Sequence, residues 1–162
     1  MKPYILALAL ATAASGQHVP LPQEVAERLI AKERKERTQF FVGKGIEHAF
    51  EHEGKFVRVR LGIEPGPTQS GYNVLELICS DKPLQRWPKE AGDVAGKTLE
   101  YFADYQLDNH QLETASTMKD GKGEYHFYFL GEKPKKPTKE EYNTRWGKYY
   151  SILQTLLKRL SD

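Results

Sequence analysis

The chain has 162 residues, 24 basic and 22 acidic side chains, and a net charge of +2. That length suits one core rather than two, and the near balance of charge excludes the clustered basic footprint of a nucleic-acid-binding protein. A lone cysteine, Cys79, excludes an intrachain disulfide, so the fold must rest on its core.

Lys2 precedes an apolar run from Ile5 to Ala14, and the small residues Ala13, Ala14, Ser15 and Gly16 close it. This is the order of a secretory signal peptide, placed over residues 1–16 with cleavage after Ala13 or Gly16. A membrane span needs about twenty apolar residues, so the run is too short to remain as an anchor. The expected location is extracellular.

Pro20-Leu21-Pro22 ends the flexible start of a domain placed over residues 17–132. Val25, Ala26, Leu29 and Ile30 fall at helical spacing, which predicts a helix over 23–37. Residues 39–51 read as a strand, bent at Gly43 and Gly45. After a turn at 52–55, Val57, Val59, Leu61 and Ile63 alternate with Arg58, Arg60 and Gly62. One apolar and one polar face predict a strand covering a core on one side. Residues 72–79 give a third strand, apolar enough to be central. Pro83, Trp87-Pro88, Gly92 and Gly96 make 80–110 a long irregular connection. Within it, 97–107 fits either strand or helix, with aromatic and Thr content favouring strand.

Asp120-Gly121-Lys122-Gly123 signals a hairpin over 111–131. Its returning strand, Tyr125 to Leu130, is apolar enough for burial on both sides. The last segment, 133–162, is a basic Pro-containing spacer followed by an amphipathic helix. Thr138 and Glu141 form a capping-box pair. An apolar stripe then runs from Tyr142 through Trp146, Tyr149, Tyr150, Leu153, Leu156 and Leu157 to Leu160. A helix this long could also dock a second copy. Helices flanking a run of strands indicate the α+β class, with the first helix against an antiparallel sheet.

The search for chemistry yields little. No Gly-x-Ser-x-Gly elbow, Gly-rich phosphate loop or EF-hand loop is present in the sequence. His48 and His52 are four apart, but on a strand they lie about 13 Å apart. Cys79 sits in the apolar run Leu75–Cys79, where burial raises a thiol's pKa and makes it a poor nucleophile. No catalytic residue, metal or cofactor is expected, and the chain reads as a non-enzyme.

This order of elements resembles the cystatin-like roll, and more narrowly the first lobe of latexin and its tazarotene-induced relatives. The residues that carry the likeness are Leu21-Pro22-Gln23-Glu24-Val25-Ala26, Tyr128-Phe129-Leu130-Gly131-Glu132 and Lys139-Glu140-Glu141-Tyr142-Asn143-Thr144. The resemblance implies a protease inhibitor, of metallocarboxypeptidases for latexin and of cysteine proteases for cystatins. It would act by inserting loops into a cleft. The contact candidates are Pro20 and Leu21, then Gln69, Ser70 and Gly71, then Trp87 and Pro88, with Trp87 as energetic anchor. The chain departs from the inhibitory pattern. Gln69-Ser70-Gly71-Tyr72-Asn73 replaces the Gln-x-Val-x-Gly loop, Trp87-Pro88 reverses Pro-Trp, and a latexin's second lobe has no counterpart in this sequence. The alternative is a secreted non-inhibitory binding, matrix or host-defence protein on the same fold.

Overall fold

The computed structural model describes residues 19–36, 45–64, 72–119, 122–127 and 137–162. The expected signal peptide, the Gln69–Gly71 loop, the Gly43 bend, the Tyr128–Glu132 segment and the 133–136 spacer lie outside them. So do the side chains of the last strand.

Helix α1 (Leu21–Glu36) starts two residues ahead of expectation. Glu24 N donates to Pro20 O at 3.0 Å, closing the first helical turn. Pro22 is tolerated there because first-turn amides have no intrahelical acceptor. The expected Val25, Ala26 and Leu29 face is buried, and Leu21 joins it.

Among the described residues six strands follow: β1 (Ile46–His52), β2 (Lys55–Glu64), β3 (Tyr72–Ser80), β4 (Thr98–Asp104), β5 (Thr114–Lys119) and β6 (Lys122–Phe127). They form one antiparallel meander in sequence order. The ambiguous 97–107 stretch is strand, and it ends at Asp104. A single helical turn, α2 (Ala91–Val94), interrupts the β3–β4 connection. Helix α3 (Lys139–Ser161) closes the chain with its capping box formed: Thr138 N–H donates to Glu141 Oε2 (2.7 Å), and Glu141 N–H donates to Thr138 Oγ1 (3.1 Å).

Both long helices lie on one face of the sheet, and α1 packs more extensively on α3 than on any strand. Val57, Val59, Leu61, Leu75, Leu77, Cys79, Phe102 and Ala115 supply the sheet side of this core. Tyr149, Ile152, Leu153 and Leu156 supply the α3 side. Tyr142, Trp146, Tyr150, Leu157 and Leu160 pack on the rim of that core and stay half-buried.

The opposite face of the sheet carries a second core built on β3 and β4, while β2 turns its apolar side chains to the first core alone, as its alternation predicts. Ile78 and Leu99 from the sheet meet Leu84, Trp87 and Val94 from the 81–97 connection. The Arg58 guanidinium holds that connection down, with Nε donating to Leu84 O at 2.7 Å and Nη2 to Gln85 O. Asp93 ties it internally, accepting from the backbone N–H groups of Lys89 (2.9 Å) and Glu90 (3.2 Å) and from Arg86 (3.0 Å). The alternation in β2 thus separates two cores, because long Arg side chains can roof apolar groups with their stems and stack with their heads.

Candidate functional site

Among the described residues, the expected protease contacts Pro20, Leu21, Trp87 and Pro88 do not form an exposed wedge. Leu21 is buried in the main core and Pro20 is half-buried at the α1 entry. Trp87, the expected anchor, is 5% exposed. Its ring lies under the Arg60 guanidinium, 4.3 Å from the centroid, and Pro88 beside it is partly exposed. The reason is a polar row across β2, β3 and β4. Arg60 donates to Glu76 Oε2 through Nε (2.8 Å) and Nη2 (2.7 Å), and Tyr101 OH donates to Glu76 Oε1 (2.7 Å). Burial and the Glu76 carboxylate together push the Tyr101 hydroxyl up. Arg60, fixed in this way, offers a flat cation to Trp87, and the indole buries itself under it.

Three further polar groupings lie on the helix side. Asp104, at the end of β4, is 1% exposed. Its Oδ2 accepts from Tyr149 OH at 2.9 Å and its Oδ1 from Gln106 N–H at 3.1 Å. The buried Glu113 accepts from Tyr105 N–H (2.9 Å) and Asn109 Nδ2 (2.8 Å). Burial first, then the Glu113 charge, lifts the Asp104 carboxyl to about 7, against the hydrogen bond from Tyr149. Tyr149 itself is raised well above its ordinary value by burial and by Asp104.

The second grouping lies where α3 crosses β4 and β5. Arg145 reaches Glu100 Oε2 (3.2 Å) and Thr117 Oγ1 (2.8 Å), and Lys148 pairs with the other Glu100 oxygen. With Glu140, Glu141 and Thr144 of the first α3 turns, these side chains line an open cleft of about 690 Å³. Its walls carry both signs of charge, which suits a polar or peptide-like guest better than an apolar one.

The third involves His52, whose Nδ1 lies 2.9 Å from Thr155 Oγ1 and whose Nε2 lies 3.5 Å from Ser151 Oγ on α3. His48 instead contacts the Phe50 ring, and among the described residues no three metal-ligating side chains converge. Burial pushes the Cys79 thiol up to about 12.

Reasoning from the sequence missed Glu76, Glu100 and Asp104 as organising groups. The signal available was an acid at each of these positions inside an otherwise apolar or aromatic strand. In comparisons with known proteins, no family model, no curated protein and no solved structure matches the chain.

Proposed function

We propose that this chain is a secreted, non-catalytic binding protein built on a cystatin-like roll, and that it does not use the loop wedge of a cystatin-type inhibitor. The leader-like order of residues 1–16 supports secretion. The succession of helix, antiparallel meander and helix, with α1 on one face of the sheet, supports the kinship with that roll. The observation that carries the reading is the burial of Trp87 under Arg60. Among the described contact candidates, the residue with the largest available binding area is spent on holding the 81–97 connection to the sheet. Recognition then falls to the surface, and the open mixed-charge cleft of Glu100, Arg145 and Lys148 is a concave part of it.

The test is titration of the purified protein against papain-like cysteine proteases and metallocarboxypeptidases. The expected result is no inhibition at micromolar concentration. Tight inhibition of either class would overturn the non-inhibitory reading and return the activity to the 64–71 loop and Pro88.

A further inference from the structure

The turn that leads out of β1 fixes which way that strand's backbone points. Glu53 and Gly54, with φ of 48° and 72°, form a two-residue turn, so His52 and Lys55 make a hydrogen-bonded pair. Alternation then directs the amide and carbonyl of His52, Phe50, His48 and Ile46 toward β2. Those of Glu51, Ala49 and Glu47 point away from the sheet. Arg159 Nη2, 3.2 Å from the Glu51 carbonyl, agrees with this polarity and closes the His52 end of the edge.

Glu47, Ala49 and Glu51 are all exposed, and among the described residues no strand or loop backbone pairs with the outward amides between them. Their side chains share the sheet face opposite the helices, with two carboxylates about 13 Å apart along the strand and a methyl group between them. Arg58 lies 3.7 Å from Glu47, but its guanidinium is committed to the carbonyls of Leu84 and Gln85. The Glu47 side chain keeps 41% exposure.

These features choose among guests. A second copy pairing antiparallel about Ala49 would set Glu47 of each copy opposite Glu51 of the other, which like-charge pairing disfavours. A guest strand with basic residues at the same spacing satisfies both carboxylates and the open backbone groups together. We propose that β1 is a strand-addition site for an extended segment of another protein, with Lys or Arg four residues apart and a small residue midway. This goes beyond the binding reading above, because strand addition would stand even in a chain that inhibited a protease.

The test is NMR titration of the ¹⁵N-labelled chain with a capped peptide containing Lys-Val-Thr-Val-Lys, and with its counterpart carrying Glu for both Lys. Saturable shifts of the Glu47, Ala49 and Glu51 amides are expected with the lysine peptide, and binding about tenfold weaker with the glutamate peptide at low salt. The double variant Glu47→Lys, Glu51→Lys should reverse that preference. Ala49→Pro removes an outward donor without touching the β1–β2 ladder, and should abolish binding of both peptides. If that variant fails to fold, the charge-reversed protein decides alone. Unmoved β1 amides at millimolar peptide, or equal affinity for the two peptides, would overturn the proposal.

Discussion

Raising the pH from 5 to 8 should weaken this fold through Asp104. An aspartate in the unfolded chain loses its proton near 3.8, whereas the folded chain holds it to about 7 because burial and the Glu113 carboxylate oppose ionisation. Between those values the folded state binds more protons than the unfolded state, so acid favours folding. The contribution is complete below the unfolded value and is lost as pH rises through the folded one. Integrating that difference between pH 5 and pH 8 gives about 2–3 kcal/mol, a large share of an ordinary domain's stability. The assay is urea unfolding followed by tryptophan fluorescence at several pH values, for the native chain and for Asp104→Asn. The amide keeps the shape of the carboxyl and cannot ionise; its oxygen still accepts from Gln106 N–H, and its nitrogen donates to the Tyr149 oxygen in place of accepting from it. The native chain should lose about 2–3 kcal/mol relative to the variant across the window, and the variant should be at least as stable at pH 8. Parallel curves would refute the reasoning, since every other titrating group is common to both proteins.

Three further outcomes follow from the same packing. Trp87→Ala should cost about 3–5 kcal/mol in urea unfolding, because it empties the second core and strips Arg60 of its stack. A loss below about 0.5 kcal/mol would mean that the indole faces solvent. Cys79, with its thiol pushed up to about 12, should react with a disulfide reagent at pH 8 only after denaturant is added, and rapid labelling of the native chain would contradict its burial. Thr138→Ala should remove about 1 kcal/mol by opening the capping box, with Thr138→Ser near native, as read from thermal or urea midpoints.

Periodicity made most of the architecture legible. The helical spacing of Val25, Ala26 and Leu29, the alternation of Val57, Val59 and Leu61, and the capping pair Thr138 and Glu141 each located an element to within a few residues. These signals are local, and each reports which face of an element is apolar. They do not report what covers a polar face. The alternating Arg58 and Arg60 read as a solvent side, yet they roof a second core whose apolar partners lie 24 to 29 positions further along at Leu84 and Trp87. The Trp-Pro step marked a loop, and loops are normally exposed. Only the three-dimensional return of the 81–97 connection shows the indole buried. Asp104 occupies an ordinary polar slot in the β4 alternation, and its burial depends on Tyr149, 45 residues away.

The meander has a consequence for how the molecule comes together. Every strand pairs with its neighbour in the chain, so the sheet can zip from one hairpin to the next, with only short closures along most of its width. The contact between α1 and α3 is of another kind, because it joins segments separated by more than a hundred residues and needs the whole sheet as its floor. During synthesis the sheet is finished before α3 has emerged, and its helix-side apolar face waits with only α1 upon it. The residues of α3, made after the whole sheet, are therefore the ones that seal the core. Until they arrive the nascent chain carries exposed Val57, Val59, Leu75, Leu77 and Phe102, a surface that chaperones recognise.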